Sequence, residues 1–290
     1  MQGELDRFQL KLARIRKVVA PFVRDAVVQY YAQTSQIEPV ILDYDSFDWS
    51  RIGFRPDHPG AQLFEKMNTW SCERGRGRFL IQPRGLDTNP SDTAKALRGN
   101  SLFTDFVEHP AELHHLLEIA TQCSIDSIEH QRQVIGGSTS GGYGTTWHGG
   151  YWTPDNVIGH LGDNVSDLVS GRMFEQFLLP YLQKFTSHFG GCIFARDITS
   201  KQVWRYLRML GNILAFKPRN MGNTCVIAED IYKIVDHTEG LPLFLQVFSF
   251  EEFEGFRRVV AETGVSAFFV FQCPTREEGE RALDMVRGME

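Results

Sequence analysis

The chain has no apolar run approaching the ~18 residues that cross a bilayer. Its first stretch, from Met1 to Val19, breaks every hydrophobic segment with Glu4, Asp6, Arg7, Lys11 or Arg14. No membrane association and no secretory leader are expected. Cysteine is scarce: five in 290 residues, at Cys72, Cys123, Cys192, Cys225 and Cys273, with no CxxC pair. That odd, scattered set excludes a disulfide framework and a zinc ribbon. A basic excess is also missing, since 30 Lys and Arg face 36 Asp and Glu for a net charge of −6. A general nucleic-acid binder is thereby excluded. The dinucleotide fingerprint is absent because Trp147 stands where a third glycine would follow Gly142-Tyr143-Gly144. A Walker loop is absent because Gly136 and Gly141 are followed by Gly142 and not by lysine. No internal repeat or low-complexity linker is visible. The expectation is a soluble, cytoplasmic protein of one main domain.

What is present points to a large core. Hydrophobic residues make up 42% of the chain and aromatics 12%, enough to exclude disorder as a main theme. Leu5, Phe8, Leu12, Ile15 and Val19 step by three and four, so residues 1–38 are expected to form a helical segment ahead of the barrel, kinked or ended at Pro21. Its apolar face would pack on the domain or on a second subunit. From residue 39 to residue 290, short apolar runs alternate with helix-period stretches. The predicted strands are Pro39–Asp43, Arg78–Gln82, Gln133–Gly137, Asn156–Asp163, Gly191–Ala195, Asn212–Phe216, Leu243–Phe248 and Ala267–Phe271. Helices are predicted from Pro110 in a first-turn position, from Ser170 as a cap for the Phe174, Phe177, Leu178, Tyr181, Leu182, Phe185 stripe, near Thr199 and Thr224, and from Thr275 with Glu278 at capping-box spacing. Strand and helix in alternation give a parallel sheet covered by helices. Eight such strands predict a closed (β/α)8 TIM barrel, with an open doubly wound sheet as the alternative.

In a parallel barrel the functional groups collect at the C-terminal ends of the strands. Three segments there carry chemistry. The first, Gly136 to Trp152, holds seven glycines in its first fifteen positions and then Trp147, His148, Tyr151 and Trp152. Aromatic rings would wall a pocket while His148 moves a proton; the same glycine density also describes a surface loop. The second is Gly159-His160-Leu161-Gly162-Asp163-Asn164. There Asp163 would orient a cationic or N–H-bearing substrate or serve in acid–base work, or cap a turn. The third is Arg196-Asp197, where Arg196 would clamp a carboxylate or pair with Asp197. Arg84 and Lys217 would add positive potential nearby. No helical metal pair such as HExxH occurs.

The run Gly162-Asp163-Asn164 through Ser170-Gly171-Arg172-Met173-Phe174 to Pro180-Tyr181 resembles the hallmark of the uroporphyrinogen decarboxylase superfamily. Upstream, Ala96-Leu97-Arg98-Gly99, Asp105 and His109-Pro110 resemble a second region of that family. The resemblance spans about Ile41 to the C-terminus and implies a (β/α)8 barrel with its cleft at the strand ends. It implies one of two chemistries. Porphyrinogen decarboxylases work without a cofactor, holding carboxylates with arginines and pyrrole N–H groups with an acid. Cobalamin-dependent methyltransferases use zinc and a corrinoid protein partner. The sequence departs from both patterns. No Arg-Gln-Ala-Gly-Arg loop lies within Met1–Tyr31, and neither histidine nor cysteine stands at Phe194-Ala195-Arg196-Asp197.

The leading expectation is a lyase that removes CO2 from a carboxylated, tetrapyrrole-like substrate without a cofactor. Asp163, His148 and His160 would be catalytic, and Arg196, Asp197, Trp147, Tyr151 and Trp152 would bind substrate. The alternatives are a corrinoid-dependent methyltransferase with Cys273, His160 and Asp197 as replacement zinc ligands, and a non-catalytic ligand-binding paralogue. A homodimer is expected by the same resemblance.

Overall fold

The computed structural model describes residues 39–75, 81, 89–136, 157–197, 201–211, 213–219, 227–271 and 273–288. The 1–38 segment and the Arg78–Gln82 strand predicted from sequence lie outside these residues, residue 81 aside. Among the described residues the chain opens with four helices: α1 (Pro59–Gly75), α2 (Pro90–Arg98), α3 (Leu102–Glu108) and α4 (Pro110–Ile135). Five strands follow: β1 (Ile158–Gly162), β2 (Cys192–Asp197), β3 (Ile213–Arg219), β4 (Leu243–Val247) and β5 (Ala267–Phe271). They pair in parallel in the order β1-β2-β3-β4-β5. Helices α5 (Gly171–Met173) and α6 (Leu179–His188) lie between β1 and β2, and α7 (Lys201–Trp204) precedes β3. Next come α8 (Ala228–His237), α9 (Phe250–Thr263) and α10 (Arg276–Arg287), each leaving one strand. The fold is mixed α/β. Among the described residues the strand order runs without the reversal that marks a doubly wound sheet. No helix among the described residues is long and apolar enough to cross a membrane.

The helix starts follow local chemistry. Pro90 and Pro110 sit at first-turn positions, where a missing N–H costs nothing. Ser170 Oγ accepts from Met173 N at 3.2 Å, Ser249 Oγ from Glu252 N at 3.1 Å, and Thr275 and Glu278 close a reciprocal capping box. Between α5 and α6 the chain winds as a π-helical turn, Phe174–Leu178, so the predicted Phe174-to-Phe185 stripe is continuous but locally widened.

Alternation along the strands divides the core. Cys192, Phe194, Phe216, Leu243, Leu245 and Val247 join the large cluster beneath the helices. Ile193, Ala215 and Phe244 form a second cluster on the other face, with Leu214 and Val270 against it. Burying a phenylalanine contributes about 1.5–3 kcal/mol, so Phe194 and Phe216, both fully buried, make the sheet's centre hard to move.

Two predicted strands are corrected. Gln133–Ile135 is the last turn of α4, and Gly136 ends it in the left-handed region (φ 76°), its N–H reaching Arg132 O and Gln133 O. Ile125, Ile128 and Ile135 are buried in the helical repeat of α4, which absorbs the short apolar run. Pro39–Asp43 is likewise not a strand. Val40 N and Ile41 N both donate to Leu97 O, and Arg98 Nη1 donates to Ile41 O and Leu42 O. The end of α2 therefore supplies the partners a neighbouring strand would have supplied.

The Leu97-Arg98-Gly99 … Asp105 motif builds a buried latch. Arg98 meets Asp105 in a fork, Nε to Oδ2 at 2.7 Å and Nη2 to Oδ1 at 3.0 Å. Tyr44 OH donates to Asp105 Oδ2 at 2.7 Å, and the guanidinium lies over the Tyr44 ring at 4.3 Å. Burial and that carboxylate raise the Tyr44 phenol well above its ordinary value. Residues 39–52 are thus fastened to α2 and α3.

Candidate functional site

The C-terminal end of β1 meets the N-terminus of α2. Asn89 caps α2, its Oδ1 accepting from Asp92 N at 2.8 Å, while its Nδ2 donates to Gly162 O, the last residue of β1. This bridge sets Ser91 and Asp92 beside the chain where it leaves the sheet. Ser91 Oγ lies 2.5 Å from Asp163 Oδ1 and 2.6 Å from Asn89 Oδ1. Its single hydroxyl proton therefore serves two acceptors. Asp92 Oδ2 accepts from Asn89 Nδ2 (2.7 Å), Asn164 Nδ2 (2.9 Å) and Asn164 N (3.2 Å).

Asp163 is fully buried. Its Oδ1 also accepts from Ser166 N at 3.2 Å, in the 3-10 turn Val165–Asp167. Its Oδ2 is buried with no hydrogen-bond partner among the described residues. An acceptor left open in a dry site is costly unless something donates to it. The half-buried Asp92 feels this carboxylate: burial and the like charge of Asp163 push its pKa up to about 7. The Asn164 N–H, the Asn89 amide and Arg196 act in the opposite direction and are outweighed.

Arg196, near the end of β2, is fully buried. Its Nη2 lies 3.1 Å from Asp167 Oδ1 and donates to Ser166 Oγ, and its guanidinium carbon is 5.6 Å from the Phe194 ring centre. The ion pair described for Arg196 is with Asp167, three positions past the Asp163-Asn164 pair that the sequence singles out. Lys217 is also buried, on β3, with Nζ 5.5 Å from the Phe244 ring centre.

Of the residues expected from sequence, Asp163 and Arg196 are brought together, both contacting Ser166. His160 stands in β1 and Asp197 ends β2. Trp147, His148, Tyr151, Trp152 and Arg84 lie outside the described residues. Asn89, Ser91, Asp92, Ser166 and Asp167 were not singled out. The Asn-Pro-Ser-Asp run at 89–92 does carry the signature of a capped helix start, but nothing local announces that Ser91 will touch a residue 72 positions later.

No group of three His, Cys, Asp or Glu among the described residues is arranged to hold a metal ion. Cys273, the cysteine considered for zinc, has its Cβ 4.0 Å from where a Cβ on Gly279 would stand, so it packs toward α10. The described residues therefore do not fit a zinc donor set. A cavity of about 500 Å³ lies at the starts of α8 and α9, between Ile227, Phe248, Glu251, Glu252 and Phe256. Neither Asp163 nor Arg196 lines it, so it is separate from the carboxylate cluster.

No family model matches the chain, and no curated protein matches it by sequence. Among solved structures, a methyltransferase from Methanosarcina mazei is similar, with a TM-score of 0.57 at 15% identity over 89% of this chain and 71% of that one. At that identity the likeness concerns the fold.

Proposed function

We propose that the five parallel strands belong to a TIM barrel and that the chain is a methyltransferase-type enzyme of the uroporphyrinogen decarboxylase superfamily. Its site is the carboxylate cluster at the end of β1, and a corrinoid protein is its partner. The observation that carries this reading is the buried carboxylate of Asp163, whose Oδ2 has no hydrogen-bond partner among the described residues, beside an Arg196 whose Nη2 is engaged by Asp167 and Ser166. A site of that sign suits a substrate that presents an S–H, N–H or O–H group. The fold shared with a methyltransferase agrees with it.

The corrinoid supplies the methyl group. Asp163 orients the acceptor through Oδ2 and takes the proton it gives up, while Ser91 and the Ser166 N–H hold the other carboxylate oxygen in place. The test is to mix the purified protein with methylcobalamin and a panel of small thiols and amines and to follow demethylation by its visible spectrum. Turnover that falls about 100-fold in Asp163→Asn supports the proposal. Absence of turnover across the panel, with folded protein, defeats it.

The decarboxylase reading draws on the same open acceptor, because Oδ2 would receive a pyrrole N–H. Its carboxylate anchor would be Arg196, which already faces Asp167. Release of CO2 from a porphyrinogen without methyl transfer would favour it.

A further inference from the structure

The starts of α8 and α9 enclose a groove of about 500 Å³, apart from the carboxylate cluster. Its floor holds the fully buried Phe256 and Gly255, where a Cβ would stand 3.6 Å from Ala228 Cβ. Its walls are Ile227 and Phe248, each more than half exposed. Large apolar side chains on a protein surface are usually scattered singly; these two share one depression. The helix starts fix the acids beside it. Asp230 Oδ2 accepts from Ile227 N at 3.2 Å, Glu252 Oε2 accepts from Phe248 N at 2.7 Å, and Ser249 Oγ accepts from Glu252 N at 3.1 Å. Asp230 and Glu252 are thus occupied in capping. Glu229 and Glu251, beside them in the same first turns, have no ion pair among the described residues. No basic residue lines the groove among the described residues. It is apolar inside and acidic at the rim.

The complementary surface is in the chain itself. Leu5, Phe8, Leu12, Ile15 and Val19 recur at helical spacing, and residues 1–24 hold Arg7, Lys11, Arg14, Arg16, Lys17 and Arg24 against Glu4 and Asp6, in a chain whose net charge is −6. At about 100° per residue, Lys11 and Arg16 fall on opposite sides of the apolar stripe. We infer that residues 1–19 dock as a helix in this groove, with Phe8, Leu12 and Ile15 against Ile227 and Phe248 and with Lys11 against Glu229 or Glu251. Anchors at i, i+4 and i+7 are the general way an amphipathic helix fills an apolar groove. Residues 20–38 reach about 65 Å when extended, more than the width of roughly 50 Å expected for a chain of this length. Such a tether holds the segment at an effective concentration on the order of millimolar, so it prevails over the same segment of a second copy. The β1 and β4 strands are parallel, so Phe248 and Asp163 leave the same end of the sheet. Docking is nevertheless independent of the reaction proposed above.

The experiment treats the full chain with a zero-length carbodiimide, which joins a carboxylate to an amine in ion-pair contact, and maps the products by peptide mass spectrometry. Equal amounts of nitrogen-15-labelled and unlabelled protein are mixed beforehand. A link from Lys11 to Glu229 or Glu251, in peptides that carry one label or the other, is the expected result. Linked peptides of mixed label would assign the groove to a second copy and overturn the inference, as would the absence of any such link. Limited trypsin digestion gives a second reading. Cleavage after Arg7, Lys11 and Arg14 is expected to run about tenfold faster in the Ile227→Ser, Phe248→Ser double variant than in the wild type. Both side chains are half exposed, so the variant keeps the wild-type core, and circular dichroism confirms that it is folded. Equal cleavage rates in the folded variant and the wild type overturn the docking.

Discussion

Arg196 and Asp163 are joined through Ser166, whose hydroxyl accepts from Arg196 Nη2 and whose backbone N–H donates to Asp163 Oδ1 at 3.2 Å. One residue of a 3-10 turn thus ties the end of β2 to the end of β1. The geometry gives Arg196 a structural duty whatever it does for a ligand.

Removing that guanidinium takes from Asp167 its buried ion pair with Arg196. Arg196→Met is expected to cost about 3–5 kcal/mol, the usual penalty for breaking a buried pair from one side. Urea unfolding at neutral pH checks this. A loss below about 1 kcal/mol would mean that Arg196 does not stabilise the turn.

The latch that holds residues 39–52 is expected to be equally sensitive. Asp105→Ala leaves Arg98 buried without its carboxylate and should cost about 3–5 kcal/mol. Tyr44→Phe removes one hydrogen bond to a charged acceptor and should cost about 1.5–3 kcal/mol. Because both act on Asp105, the double variant should lose less than the sum, and a double-mutant cycle reads the difference.

Gly99 and Gly136 both have positive φ, and they should respond differently to alanine. At Gly99, with φ 71° and ψ −150°, a Cβ would stand 3.0 Å from Pro39 Cγ. Backbone strain and that contact together should cost about 3 kcal/mol. At Gly136 the backbone is left-handed helical and a Cβ would meet open space, so the cost should be about 1 kcal/mol. Equal losses in denaturant unfolding would contradict the Pro39 contact.

Much of this architecture was legible because its causes are local. The runs at 191–195, 243–248 and 267–271 are short, apolar and flanked by turn residues, and they are strands to within two residues. The Ser170 and Thr275–Glu278 starts were readable because a cap depends on residues three apart, and the Pro110 start because proline suits a helix's first turn. Gln133–Gly137 misled because Val134 and Ile135 continue a helical repeat begun well upstream. Pro39–Asp43 misled because its hydrogen bonds are drawn to Leu97 and Arg98, more than fifty residues away. Asp163 stood out as an acid after an apolar strand. Asp92 did not, because its importance comes from the Asn89 bridge to Gly162, which only the folded chain creates.

Thiol chemistry offers a check on burial. Desolvation pushes the Cys123 thiol up to about 12 and that of Cys192, fully enclosed in β2, higher still. Cys72 and Cys273 are only half-buried. Brief alkylation near pH 8, read by peptide mass spectrometry, should label Cys72 and Cys273 at least tenfold faster than Cys123 and Cys192. Comparable labelling of all four would contradict the packing around β2 and α4.

The π turn at Phe174–Leu178 has a consequence for how this chain tolerates change in length. By widening the winding it lets Phe177, Leu178 and Leu179, three neighbours in a row, all turn inward. Phe174 meets Tyr206 on one side while Phe177 meets Phe106 and His114 on the other. Excising one residue there would let the wide turn revert to ordinary winding, so Leu182 and Phe185 would keep facing the core. A single lost codon, which in a regular helix would rotate all that follows by about 100°, is therefore absorbed at this bend.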